Sequence, residues 1–162
     1  MPALEALGGV SAVFATVSIA LQLADAAVQL HAFWQSFRGC PKEMRDLLSD
    51  LLLLQTVLKD IHAEETLLPV PHEALPTHEP LLKCEQYFGE LEALARKLQV
   101  DISKGKVQRT WKSVKVVFQK DDLGKFKDNL ESMKITLVLA RQSLARWEFT
   151  TFCGYHLLTK AW

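Results

Sequence analysis

Two histidines and a cysteine, residue types that bind zinc, lie within a short stretch of the sequence. His72 and His78 fall in a proline-rich segment, residues 68–80, and Cys84 follows just beyond it. Their spacing fits no zinc-ligand pattern, and a proline-rich loop does not hold ligands rigidly. We therefore predict solvent-exposed loop histidines, with no metal and no other cofactor.

Gly105-Lys106 is the second feature that suggests chemistry, because a glycine followed by lysine occurs in phosphate-binding loops. That motif requires Ser or Thr after the lysine, and the residue here is Val107. The sequence also contains no GxSxG nucleophile turn and no HExxH metal helix. We expect neither an enzymatic activity nor a small-molecule substrate.

The three cysteines, Cys40, Cys84 and Cys153, are an odd number at wide spacing. Such usage indicates a reduced intracellular protein rather than a disulfide framework. No Lys or Arg precedes Arg38, so the start lacks the basic region of a secretory signal. We expect a cytoplasmic location, with peripheral membrane contact as an alternative.

A basic segment near the middle of the chain is the strongest candidate binding feature. No acidic residue interrupts residues 102–120, and Val107, Trp111, Val114 and Phe118 recur there at helical spacing. We predict a short helix over residues 103–119, with these apolar groups on one face and the cations on the other. The candidate contacts for an anionic surface are Lys104, Lys106, Arg109, Lys112, Lys115 and Lys120.

Three interpretations of this basic face stay open. Residues 1–100 carry 7 basic and 13 acidic groups, whereas residues 101–162 carry 12 and 6. The cations could be solvated, or could pair with the acidic stretches 41–65 and 85–92. They could instead contact anionic lipid, as basic amphipathic helices do. Nucleic acid is not expected, since no recognised binding motif accompanies the charge.

Residues 10–37 form the most apolar stretch, and we predict one long helix that begins near Ser11 and is covered by the rest of the fold. Residues 6–24 carry no formal charge, which is close to the length that spans a bilayer. A buried central helix, a conditionally membrane-inserting segment and a constitutive anchor are therefore three alternatives. The candidate inserting residues are Val13, Phe14, Val17, Ile19 and Leu21.

Three further helices follow from apolar residues at steps of three and four. They are predicted over residues 41–66, 80–100 and 123–146, with a proline-rich loop at 68–80 and a turn with an N-cap at Asp121 or Asp122. We expect an all-α, up-and-down bundle of four long helices plus the short basic helix, organised around the hydrophobic first helix. The bundle domain would span residues 1–146, and residues 147–162 would form an aromatic-rich tail. The predicted core comprises Leu47, Leu51, Leu58, Trp111, Phe118, Leu130, Met133 and Leu137.

Two segments resemble the N-terminal helical domain of many fungal proteins. In residues 19–61 an Ala-rich helix ends in an aromatic-bearing turn, and Pro41-Lys42-Glu43 then opens a Leu-rich helix. Residues 110–140, TWKSVKVVFQKDDLGKFKDNLESMKITLVLA, resemble the Trp-Lys and Lys-Asp segment before that domain's closing helix. The family is the HeLo-like, or NLR (STAND)-type, fungal N-terminal domain, and it includes the azaphilone pigment biosynthesis cluster protein L.

This resemblance implies a helical bundle with a non-enzymatic interaction or regulatory role. Members act in cell-death or incompatibility signalling by self-association or membrane perturbation, so a protein partner or self-association is expected, with an anionic membrane as a further partner. The alternative is an accessory protein of an azaphilone pigment gene cluster, with no chemistry of its own. The sequence ends soon after the resembling segments, so we expect a small stand-alone or truncated member of the family and do not expect nucleotide-triggered switching.

Overall fold

The computed structural model describes residues 18–106, 108–118 and 120–159. In these ranges the chain forms five α-helices and no strand, which confirms the all-α prediction. A single 3-10 turn, His72–Ala74, lies between the second and third helices. The helices are α1 (Ile19–Gln35), α2 (Lys42–Thr66), α3 (His78–Ser103), α4 (Trp111–Val117) and α5 (Lys120–Thr159).

The four long helices pack as a bundle in which α1 and α5 occupy opposite corners. Helix α1 packs against α2 and α3, and α5 packs against the same two helices. Ala20, Ala24 and Ala27 of α1 are fully buried. Their small side chains allow the neighbouring helices to approach closely. Among the predicted core residues Leu47 is partly buried, and the others are buried: Leu51, Leu58, Trp111, Phe118, Leu130, Met133 and Leu137.

Trp34 anchors an aromatic cluster at the end of the bundle where α1 finishes. Its side chain is only 1% exposed. Its ring centroid lies 5.3 Å from that of Phe126, 5.7 Å from that of Phe118 and 6.2 Å from that of Trp111. These separations fall in the favourable range for aromatic pairs. The cluster therefore fixes α1 to α4 and to the first turns of α5.

The predicted basic helix over residues 103–119 is wrong in extent, because among the described residues of that span Ser103 ends α3 and only Trp111–Val117 form the separate helix α4. Gly105, at a φ of 67°, instead ends α3. The Gly105 N–H donates to the Ile102 carbonyl and the Lys106 N–H to the Asp101 carbonyl. This is a Schellman cap, in which glycine takes the left-handed position. The cap ends α3, and residues 104–106 and 108–110 form a non-helical connection to α4.

The last helix is longer than predicted, since α5 reaches Thr159 rather than Arg146. Its buried stripe, from Phe126 to Leu144, ends near the expected boundary, but the backbone continues as a helix. Residues 147–153 contain no glycine or proline that would end the helix, and it continues through Gly154 to Thr159. Helix α5 also begins at Lys120, so Asp121 and Asp122 lie in its first turn, where they complement the helix dipole.

The membrane-inserting hypothesis falls largely outside the described residues. Val13, Phe14 and Val17 all lie there, whereas Ile19 and Leu21 are partly buried in α1. Within the described ranges, no helix has both the length and the apolar character needed to cross a bilayer.

Candidate anionic-surface site

Backbone hydrogen bonds join the basic connection, residues 104–106 and 108–110, to the turn between α1 and α2. The Arg38 N–H donates to the Arg109 carbonyl at 3.1 Å, and the Trp111 N–H donates to the Arg38 carbonyl at 2.8 Å. These bonds form an isolated parallel bridge between Arg38 and Thr110. They place Arg38, which is distant in sequence, beside the basic segment. Sequence periodicity missed this residue because the bridge joins segments about 70 positions apart.

Arg109 has a different role from that predicted for it. Its guanidinium donates to Ser36 Oγ at 3.2 Å and to Gln99 Oε1 at 3.5 Å. These contacts join the connection to the end of α1 and to α3. Because its donors are engaged within the fold, Arg109 serves mainly to position the basic connection.

Four lysines of the predicted set are exposed at this end of the bundle. Lys104 and Lys106 lie in the connection, and Lys112 and Lys115 lie three residues apart on α4. None of them forms an ion pair with any residue that the structure describes. We name these four lysines together with exposed Arg38 the basic end. Lys120 is the first residue of α5, and its side chain lies outside the described part.

Among the described residues, the acidic face of α2 forms ion pairs with α5 and none with the basic segment. Lys134 Nζ lies 2.8 Å from Asp50 Oδ2. Further along, Arg141 lies 3.3 Å from Asp60 Oδ2 and 3.5 Å from Glu64 Oε1. The acidic residues of the first half of the sequence therefore pair with basic residues of α5. The lysines of the basic end remain exposed to solvent.

A buried carboxylate at the other end of the bundle was not foreseen. Glu65 is only 3% exposed, although a negative charge in the last turn of a helix is unfavourable. It accepts hydrogen bonds from Ser18 Oγ, at 3.4 Å, and from Thr77 Oγ1. His72 Nδ1 lies 3.5 Å away. Glu65 thus ties the starts of α1 and α3 to the end of α2.

The residues with potential chemistry are not brought together. His72 is exposed in the 3-10 turn, as expected for a loop histidine, whereas His78 is the first residue of α3 and partly buried. Cys84 is fully buried, and desolvation raises the pKa of its thiol to about 12. Within the described residues no group of three or more His, Cys, Asp or Glu side chains could hold a metal ion.

A second exposed surface lies on the side of α5 that faces away from the core. Six exposed residues follow one another there at steps of three and four. We name them the outer stripe: Ile135, Val138, Gln142, Ala145, Phe149 and Phe152. Phe149 and Phe152 are 72% and 73% exposed. Exposed aromatic groups at helical spacing are typical of protein contact surfaces.

The fold and these surfaces define a helical-bundle protein with a basic end and an apolar stripe. Residues 4–151 match the model of the family described as pigment biosynthesis cluster protein PigL N-terminal. The chain belongs to this family. This match by itself does not show a relationship to HeLo-like or NLR-type proteins, so that part of the resemblance stays a prediction. Comparisons with curated proteins and with solved structures find no match.

Proposed function

We propose that this protein is a non-enzymatic accessory protein of a fungal pigment biosynthesis gene cluster. The family match over residues 4–151 is the observation that carries the proposal. The finer assignment, an azaphilone pigment of polyketide origin, rests on the sequence resemblance. An accessory protein would act by contacting a protein of the pathway, with no bond-making chemistry of its own.

The exposed surfaces support a contact role. The outer stripe of α5 presents two phenylalanines and two aliphatic side chains to solvent on a rigid helix. Preformed helical faces bind partners at low entropic cost, because their geometry is set before binding. By contrast, the part of the chain that the structure describes groups no three His, Cys, Asp or Glu side chains as metal ligands, and its three cysteines lie apart from one another in the sequence.

The test is deletion of the gene in a pigment-producing host, followed by analysis of all pathway intermediates by mass spectrometry. Loss of an accessory protein should lower the whole pigment series together. Loss of an enzyme would instead make one intermediate accumulate, and that result would refute the non-enzymatic assignment. An unchanged pigment profile would refute the accessory role altogether.

Complementation of the deletion strain with variant genes distinguishes these outcomes further. A Cys40→Ser/Cys153→Ser gene should restore pigment fully, because neither thiol is assigned any chemistry. A gene encoding Phe149→Glu should restore less pigment if the outer stripe is the contact surface. The matched control is Leu53→Glu, which changes an exposed apolar residue of α2 that lies outside the stripe.

Contact with an anionic surface is the second candidate function, and it corresponds to the membrane-perturbing role of HeLo-like proteins. Four exposed lysines without ion pairs among the described residues favour it. Each Lys or Arg close to an anionic bilayer contributes about 1 kcal/mol of binding free energy. The basic end could therefore dock the protein on such a surface. Co-sedimentation with anionic liposomes tests this function.

A further inference from the structure

The outer stripe has the spacing of a coiled-coil seam. Its members recur at steps of three, four, three, four and three, from Ile135 to Phe152. In heptad terms Ile135, Gln142 and Phe149 occupy a positions, and the other three occupy d positions. Leu139, which is 57% exposed, lies beside the stripe at an e position. Helix α5, already buried on one face, therefore carries a second and largely apolar seam that is exposed within the described ranges.

The position of the stripe on α5 makes it accessible to another molecule. Helix α5 has 40 residues, against 25 in α2 and 26 in α3. At 1.5 Å per residue it is about 60 Å long, roughly 20 Å longer than α2 or α3. Among the described residues its last buried side chain is Leu144, and Phe149 and Phe152 follow it. The aromatic half of the stripe is thus presented beyond the helix's own core contacts.

We infer that a second copy of this chain pairs with the outer stripe, with the two α5 helices antiparallel. The inference rests on the proposed protein-contact role and names its partner. In an antiparallel seam a positions face d positions of the other helix. Ile135 then faces Phe152 of the second copy, Val138 faces Phe149, and Gln142 faces Ala145. Each aromatic ring meets an aliphatic side chain, so the stripe is complementary to itself across a twofold axis.

The charges beside the stripe favour this orientation. Arg141 and Glu148 occupy g positions on the same flank, and g positions face each other across an antiparallel pair. Arg141 contacts Asp60 and Glu64 of its own chain, but its side chain is 47% exposed, so it can also lie opposite Glu148 of the other copy, twice by symmetry. In a parallel pair the g position of Arg141 would face the e position of Arg146, which places like charges together. The stripe therefore selects the antiparallel arrangement.

Sedimentation of the full chain over a concentration series tests the pairing. We expect wild type to pass from monomer to dimer as concentration rises. Val138→Glu/Phe149→Glu should remain a monomer, with an unchanged thermal midpoint at low concentration because both side chains are exposed. The control Leu53→Glu/Val116→Glu makes the same chemical change at exposed positions outside the stripe, and it should dimerise as wild type does.

Two sedimentation outcomes overturn the inference, and thermal melting identifies a third way in which it fails. Wild type could remain monomeric at every concentration. The control variant could lose dimerisation as fully as the stripe variant, which would place the interface elsewhere. The stripe could instead be covered by residues 1–17 of the same chain; wild type would then be monomeric and Val138→Glu/Phe149→Glu would melt at a lower temperature.

Disulfide crosslinking tests the orientation, in a Cys40→Ser/Cys153→Ser background. An antiparallel pair brings Gln142 opposite Ala145, so chains with Gln142→Cys should crosslink to chains with Ala145→Cys, and neither should crosslink efficiently to itself. Strong self-crosslinking of Gln142→Cys alone would show a parallel pair and overturn the orientation. Dimerisation and pigment production are measured separately. A monomeric protein therefore refutes the pairing alone, and an unchanged pigment profile refutes the accessory role.

Discussion

Lys134 Nζ lies 2.8 Å from Asp50 Oδ2, and this ion pair joins the middle of α5 to α2. Lys134 also lies 2.9 Å from Glu131 Oε1 on its own helix. The hydrogen bond to Asp50, followed by the one to Glu131, raises the pKa of the lysine above its ordinary value. Because Asp50 and Lys134 come from the two oppositely charged parts of the sequence, the pair is one of the points at which the acidic and basic halves of the chain attract each other.

The raised pKa predicts a specific dependence of stability on pH. A cationic group whose pKa is higher in the folded state stabilises the fold. Its full contribution is present when the pH lies below the pKa of the unfolded state, which is about 10.4 for lysine. The contribution is lost as pH rises through the folded pKa. We expect Lys134→Met to unfold more easily than wild type at pH 8, by about 1 kcal/mol or less for a partly exposed pair. This difference should shrink in strongly alkaline buffer.

Urea unfolding of wild type and variant across alkaline pH measures the effect. Lys59→Met is the matched control, because Lys59 is exposed on α2 and forms no ion pair with the described residues. A difference between wild type and Lys134→Met that stays constant into strong alkali would contradict the assigned ion pair.

The apolar seam of α2 should be sensitive to truncation. Leu51 is fully buried between the helices, so Leu51→Ala should lower the free energy of unfolding by about 2–5 kcal/mol. Leu53, two residues away and 58% exposed, provides the control. Leu53→Ala should change stability by about 0.5 kcal/mol or less. Equal effects of the two changes, measured by urea denaturation, would mean that the inward face of α2 is misassigned.

The three cysteines should differ in reactivity. Cys153 is exposed, and it should react rapidly with a thiol reagent at pH 8. Cys84 is fully buried with its pKa raised to about 12, so it should react only when the protein unfolds. Cys40 is intermediate in exposure, and burial raises its pKa, so its rate should fall between the other two. Mass spectrometry of partially labelled protein assigns the sites. Labelling of Cys84 in the native state as fast as Cys153 would contradict this packing.

The sequence predicted those parts of the fold that depend on local spacing. Helix α2 was expected over residues 41–66 and spans Lys42–Thr66, because its leucines recur at helical steps. Helix α3 is predicted to end at about residue 100 and ends at Ser103, just before Gly105, whose position ahead of a polar connection is a recognisable capping signal. The helical end of α5 was missed because residues 147–159 have no core periodicity, and an exposed helix leaves a weak pattern.

The arrangement around the candidate site could not be predicted in the same way. Arg38 joins the basic end through a backbone bridge to Thr110, and Glu65 binds Ser18 and Thr77 from other elements. These contacts join residues far apart in sequence, so no periodicity reports them. Periodicity did place Lys112 and Lys115 on the exposed side of α4, but it could not show that Arg109 is engaged by Ser36 and Gln99.

The basic end should bind to anionic liposomes. Lys104, Lys106, Lys112 and Lys115 together could contribute about 4 kcal/mol to docking, at about 1 kcal/mol each. Co-sedimentation with phosphatidylserine vesicles should therefore rise with the anionic lipid fraction and fall with salt. Lys112→Glu/Lys115→Glu should bind much more weakly than Lys59→Glu/Lys83→Glu, which makes the same charge change at exposed lysines of α2 and α3. Val17→Glu separates insertion from docking, since it should reduce vesicle leakage more than co-sedimentation. The membrane hypothesis is contradicted if wild type does not bind these vesicles at low salt, or if the two double variants bind equally. The basic end would then be a solvated face, and the accessory role would depend on protein contacts without a membrane step.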